Sequence, residues 1–591
     1  MKDHSAQGAA TVIKIKRGNW TKRKVLFLFI IPVFLYIALL PVMPLTEPDE
    51  ARYSDIASLM NRTGDYVTPR LNHVVYLEKP PLGYWATALF FIIFGENEFS
   101  SRLFAALCAW GCVLLVYRIG KFFVDDRTGL YAAGVLSTFS FHYGIGRTNI
   151  LDMPLAFFVC LAIWAGYRYF EGVRRSKGWI YLLYISSALA FLTKGLIGIV
   201  FPVAVMVVWL SVSKRWRDLP GLFSPVGILL FLLISCPWVI LVQKANKDFL
   251  QFFFVQHHFL RYAVTHETRN QSPLFYIPVV VLGTLPWSAF LLKAFREGRS
   301  QEVVPLRTQG RVFLLVWIFL ILVFFSVSSS KLVPYIAPIF LPIAVFLGHR
   351  FRMYEDRQIE NPGDRKLLYD LPIFLQALLL FAVCFLPFVL HNTKVGSISA
   401  NLPFRIDWRF LLFPLIFQVM LIFLPPWVER RRRRAWFPTV AVLSAFLLGS
   451  LTFPVAQAMT PFKSARPVSE VIRAHVPVNG ALFQFKTTRY GIDFYNKIRT
   501  PYVEAVGELG FGLKRFSAEE RCRSYLSFEE FCGQSAERNE TYCVTRYRRN
   551  VNELRRRFPS LEVLWDNGHF YLLRLRESGQ KPMWRMAYGD S

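Results

Sequence analysis

The sequence predicts an α-helical polytopic membrane protein that ends in a small α/β domain. Three observations point there. Of the 591 residues, 54% are hydrophobic, 16% aromatic and only 18% charged, too few charges for a soluble chain of this length. Apolar runs long enough to cross ~30 Å of hydrocarbon recur through the chain. The formal net charge of +29 is carried in short basic clusters between those runs, the topology signal of a membrane protein rather than a nucleic-acid footprint.

Residues 1–24 form a basic tail with Lys14, Lys16, Arg17, Lys22, Arg23 and Lys24. The apolar run that follows reaches Val42 without a small-residue cleavage site, so the first span is expected to stay as an anchor. Spans are expected near 25–43, 101–119, 129–146, 152–170, 179–193, 195–212, 222–242, 274–293, 311–327, 333–349, 370–390, 409–427 and 436–455, about thirteen in all. With the N-terminus cytoplasmic, Arg174, Arg175 and Lys177, then Lys214, Arg215 and Arg217, then Arg350, Arg352 and Arg357, and the run Arg430 to Arg434 all fall inside. That run reads as a topological signal in contact with anionic lipids. Gly195 and Gly198 read as helix-packing positions rather than a phosphate cradle.

An odd number of spans puts the segment after about Thr460 on the opposite face. There the composition turns polar, and Ala481 to Phe485 and Phe570 to Leu575 alternate as strands do. The expected organisation is a cytoplasmic tail at 1–24, a transmembrane domain at 25–459 with an extracytoplasmic loop at 44–100, and an extracytoplasmic α/β domain at 460–591. Of eight cysteines, Cys522, Cys532 and Cys543 lie in that last domain, where one disulfide or three reduced thiols are both open.

The first loop carries Thr46-Glu47-Pro48-Asp49-Glu50-Ala51-Arg52-Tyr53 and later Tyr76-Leu77-Glu78-Lys79-Pro80-Pro81-Leu82-Gly83-Tyr84-Trp85. Adjacent carboxylates at a membrane surface need a cation, a metal or a polar substrate nearby. A helix starting after Pro48 would set Asp49, Arg52 and Tyr53 on one face. A carboxylate beside a guanidinium suits a ligand with both a hydroxylated or amino portion and a phosphate. A helix cap with an exposed salt bridge is the plainer reading of the same spacing.

These stretches, with Phe94-Gly95, Arg147 to Pro154, Phe252-Phe253 leading to His258 and Arg261, Gln271 to Pro278, Pro286-Trp287 and Ser328 to Pro338, resemble the GT-C class of polyprenyl-phosphate-sugar glycosyltransferases. The branch they look most like adds aminoarabinose to lipid A and is related to protein O-mannosyltransferases. The likeness runs in order to about residue 345. It implies an integral inner-membrane glycosyltransferase that moves a sugar, 4-amino-4-deoxy-L-arabinose or a related one, from undecaprenyl phosphate to lipid A or a similar envelope glycan. The transfer would occur on the periplasmic face with inversion, without a nucleotide and by a monomer. Asp49, Glu50 and Asp152 are the implied catalytic carboxylates, and Arg52, Lys79 and Arg261 the donor-phosphate ligands. Tyr53, Tyr76, Tyr84, Lys331 and Tyr335 are implied donor- or sugar-binding residues. Glu78 with His258 or His257 would hold a divalent metal, zinc or magnesium. An alcohol acceptor would make Asp49 a general base, whereas a phosphate acceptor is already anionic and would leave Asp49 to orient the sugar. Plainer roles stay open: a helix cap for Asp152, an interfacial histidine for His258, aromatic-belt anchoring for Tyr76 and Tyr335, and snorkelling for Lys331. A relative that glycosylates protein or another envelope glycan is the alternative. A transporter or flippase is less in keeping with acidic residues at span ends and with halves that do not repeat.

Overall fold

In hydrocarbon a backbone must satisfy its own N–H and C=O groups, which leaves helices as the way for long apolar runs to cross. The computed structural model describes residues 22–171, 176–254, 271–291, 294, 308–355, 407 and 409–576. Among them, seven helices are long and apolar enough to span a membrane: Lys22–Val42, Glu98–Phe123, Asp152–Glu171, Pro225–Ala245, Gln309–Val327, Val333–Glu355 and Arg409–Lys463. The chain is a multi-pass membrane protein. Lys177–Lys194 and Ile197–Val212 fill the places of two further expected spans. They reverse at Gly195, whose φ of 88° a side chain would disfavour. A Cβ on Gly198 would lie 2.5 Å from the Ala190 carbonyl carbon, so these two helices pack with backbones in contact.

The structure differs from the expected spans in four places. Near 129–146 the chain forms Asp126–Ser137, turns through extended Phe139 and resumes at Ser140–Ile145. Near 274–293, Tyr276–Gly283 ends ahead of the Leu285–Pro286 peptide. The two expected near 409–427 and 436–455 share the run Arg409–Lys463, broken by non-helical backbone at Arg432 within the arginine cluster. Inside the stretch read as a loop, Leu82–Phe94 is an apolar helix of 13 residues. The span expected near 370–390 lies outside the described residues.

The loop after the first span builds the helix Asp49–Thr63. Asp49 and Glu50 in its first turn oppose the positive end of the helix dipole, and Gly64 in the left-handed conformation closes it on Met60. A short antiparallel hairpin follows, β1 (Arg70–Leu71) with β2 (Val74–Val75).

The C-terminal domain is a six-stranded mixed sheet. Its strands are β3 (Ala481–Phe485), β4 (Tyr502–Val503), β5 (Tyr525–Leu526), β6 (Thr541–Thr545), β7 (Glu562–Asp566) and β8 (Tyr571–Leu575), ordered β5-β4-β3-β6-β8-β7. The β5, β4, β3 and β6 neighbours run parallel, and β8 pairs antiparallel with β6 and β7. Cys522, Cys532 and Cys543 are free thiols. The domain rests on the loop helix: Tyr490, Tyr502 and Leu513 share one apolar cluster with Ala51, Ile56 and Met60. At Gly512 the contact is so close that a Cβ would stand 2.3 Å from the Val75 carbonyl oxygen.

Candidate active site

The start of the loop helix sets Asp49, Arg52 and Tyr53 together, as the i, i+3, i+4 spacing requires. The Asp49 side chain is 51% exposed, while that of Arg52 is 5% exposed. Arg52 donates to the Asp49 carboxylate and to Glu508, a residue of the C-terminal domain. Its guanidinium carbon lies 5.1 Å from the Tyr53 ring centre and 5.8 Å from that of Tyr76. The Tyr76 hydroxyl donates to Glu508 Oε2 at 3.0 Å, with Glu78 Oε2 3.4 Å away. Tyr53 and Tyr84 pack with ring centres 5.7 Å apart, and the fully buried Tyr84 hydroxyl has no hydrogen-bond partner among the described residues. An unpartnered buried hydroxyl at a charged chamber is suited to a polar ligand. Glu78 and Lys79 are half-buried on the turn between β2 and Leu82–Phe94.

A second charged pair faces the first. Asp152 opens the helix Asp152–Glu171, and Lys194 closes Lys177–Lys194, with Nζ 2.6 Å from Asp152 Oδ1. The same ammonium stands 4.9 Å from the Tyr335 ring centre. Tyr53 links the two pairs. Burial raises its hydroxyl to about 12; Arg52 and Lys194 pull it down, while Asp49 and Asp152 push it up. It therefore keeps its proton and serves as a donor at neutral pH. Lys331 is buried and donates to the Ser328 carbonyl at 2.6 Å.

Glu50 sits apart from this chamber. Both its oxygens receive Arg102, at 2.7 and 2.8 Å, and they also accept the Asn149 and Thr46 N–H groups and the Thr46 hydroxyl. Burial alone would raise this carboxyl, but Arg102 and the N–H donors outweigh it and hold Glu50 below the usual range. The geometry is that of a clamp between the loop helix and Glu98–Phe123. Both carboxylate oxygens of Glu50, expected as a catalytic group, are taken up by protein donors.

Arg261, His257 and His258 lie outside the described residues. Among the described residues, no three His, Cys, Asp or Glu side chains gather as metal ligands. Two site residues had no signal in the sequence. Glu508 reaches Arg52 from a distant domain, and Lys194 meets Asp152 from the end of another helix.

Fold and chamber together define a multi-pass membrane protein of the GT-C class. The resemblance drawn from the sequence holds in the fold. A model of the dolichyl-phosphate-mannose-protein mannosyltransferase family matches residues 78–240. The crystal structure of ArnT from Cupriavidus metallidurans bound to undecaprenyl phosphate superposes with a TM-score of 0.79 at 25% identity, covering 94% of this chain and 98% of that one. An undecaprenyl phosphate-alpha-4-amino-4-deoxy-L-arabinose arabinosyl transferase of Pseudomonas aeruginosa (strain UCBPP-PA14) is 36% identical over 308 residues, 51% of this chain and 55% of the relative. One of the same description from Edwardsiella ictaluri is 31% identical over 337 residues, 56% and 59% of the two chains. The chain thus spans somewhat over half the length of the curated relatives it matches.

Proposed function

We propose that the protein is a glycosyltransferase that moves 4-amino-4-deoxy-L-arabinose, or a related sugar, from undecaprenyl phosphate to lipid A or a similar envelope acceptor. It acts as a monomer in the bacterial inner membrane, with its N-terminus cytoplasmic and the chamber and C-terminal domain periplasmic. The observation that carries this reading is the buried Arg52 guanidinium beside the half-exposed Asp49, with the Asp152–Lys194 pair facing them across Tyr53.

In such a transfer an acceptor oxygen attacks the anomeric carbon while the bond to the donor's phosphate oxygen breaks. The electron pair leaves with the phosphate. The electrostatic task is to stabilise that growing negative charge. Arg52 is suited to it, being desolvated and already pre-oriented by two carboxylates, with Lys79 and Arg261 proposed as further cations. A phosphate acceptor is anionic without help, so Asp49 then holds the sugar's ammonium; an alcohol acceptor would give its proton to Asp49. Tyr53, Tyr76 and Tyr84 would supply neutral donors to the sugar, and Lys331 and Tyr335 would line the donor path. Glu78 with His258 or His257 would hold a divalent ion, zinc or magnesium, whose bound charge would add to that of the cations. Of these ligands only Glu78 lies among the described residues. A protein or another envelope glycan as acceptor uses the same donor chemistry.

The test is transfer by purified, reconstituted protein from a radiolabelled undecaprenyl-phosphate sugar to candidate acceptors. Asp49→Asn is expected to abolish transfer and Lys79→Ala to weaken it strongly, with melting temperatures unchanged. Normal transfer by both variants would remove these roles. No transfer to any acceptor by the parent, with an unaltered envelope-glycan mass spectrum in cells lacking the gene, would end the reading.

A further inference from the structure

The face between the loop helix and the C-terminal domain buries two carboxyl groups that the chamber does not use. Asp55, on Asp49–Thr63, and Asp493, on the helix Tyr490–Asn496, are each 3% exposed. A hydrogen-bond chain joins them. The Asn72 N–H donates to Asp55 Oδ2 at 3.2 Å, and the Asn72 amide donates to the Thr500 carbonyl at 2.9 Å. The Thr500 N–H donates to Asp493 Oδ1 at 3.1 Å, its hydroxyl donates to the same oxygen, and the Tyr502 hydroxyl donates to Oδ2 at 3.0 Å.

Among the described residues neither carboxyl has an ion-pair partner. Arg62 and Glu96 act on Asp55 from a distance with opposite signs, and Arg499 stands on the Asp493 side. His73, beside Asn72, brings no compensating charge. Burial, then Arg499, Arg70 and Arg62, hold its pKa near about 4, so it is neutral at physiological pH. Two ionised carboxylates facing one another in a dry contact repel and forfeit hydration. Opening the contact returns both to water, where they ionise freely near about 4.

We infer that Asp55 and Asp493 are positioning residues that take up protons as this interface forms, so that docking of the C-terminal domain, and with it Glu508 on Arg52, is proton-linked. Burial pushes Asp55 up to about 7, opposed by the Asn72 N–H and Arg62; burial, with the Asp55 charge next, holds Asp493 well above the carboxylate range. The sign follows. Both groups bind protons more tightly when docked, so the stabilisation is complete below the free value and is lost as pH rises through the docked ones. From Asp55 alone, the docking equilibrium should weaken about tenfold between pH 6 and pH 8.5.

Hydrogen–deuterium exchange of the full-length protein in lipid nanodiscs tests this without reference to any activity. Rates are corrected for the chemical pH dependence of exchange and read over Asp49–Thr63 and Tyr502–Val503. The parent should lose about tenfold in protection from pH 6 to pH 8.5. Asp55→Asn, which keeps the shape and an acceptor oxygen, should flatten the profile over this window. Should that variant not fold, the parent profile carries the test by itself. A parent profile flat within about twofold, or an unchanged slope in a folded variant, would overturn the proposal.

Discussion

Replacing Glu50 by leucine should strongly destabilise the protein rather than merely silence it. Arg102 is 2% exposed and Glu50 1%, and the guanidinium also donates to the carbonyls of Leu40, Met43 and Pro44. Removing the carboxylate leaves a buried cation with carbonyl partners alone. Breaking one side of such a pair costs about 3–5 kcal/mol, set against total stabilities of about 5–15 kcal/mol. Glu50→Gln retains an acceptor oxygen and the shape, and should cost less, about 1–3 kcal/mol. The double variant Glu50→Leu/Arg102→Met removes both charges and should regain most of the loss. Fluorescence-detected melting of purified protein in detergent reads all three. The pH dependence has a definite sign. Because folding holds the Glu50 carboxyl below its ordinary value, the clamp stabilises above about pH 4 and is lost on further acidification. The reasoning fails if Glu50→Gln melts like the parent yet transfers no sugar, since that is how a reacting carboxylate behaves.

Lys194→Met should strand Asp152, whose side chain is only 12% exposed, and cost about 3 kcal/mol of stability; adding Asp152→Asn should recover most of it, and additive losses in melting would refute the pairing. Glu78→Gln should lower the zinc retained after dialysis, measured by elemental analysis, and unchanged metal in the variant, or none in the parent, would end the proposed metal role.

What the sequence makes legible here is local. The helix after Pro48 begins at Asp49, with Arg52 on Asp49 as the spacing predicts. Ala481–Phe485 is a strand, and Tyr571–Leu575 lies within the second alternating stretch. Periodicity and short-range spacing carry that information because they depend on the backbone's own repeat. The misread elements depend on something else. Leu82–Phe94 is too short to announce a span, and the break near Phe139 is marked only by Ser137, Thr138, Ser140 and His142 within an otherwise apolar run. Glu50 and Asp49 are neighbours with the same chemistry, and a helix turn of one residue, about 100°, sends one to Arg102 and the other to the chamber. Nothing in their sequence separates them. The partners of Arg52 and Asp152 come from Glu508 and Lys194, and such long-range contacts leave no mark in local composition.

The reach of Glu508 to Tyr76 closes a separation of 432 residues. Synthesis runs from the N-terminus, so Arg52 leaves the ribosome and enters its helix long before the carboxylate that pairs with it exists. Throughout that interval the guanidinium must be answered by Asp49, water or lipid headgroups. The chamber is therefore among the last parts of the molecule to be finished, and a chain cut short before Glu508 would carry all seven of the long apolar helices described above yet lack the wall that faces Arg52.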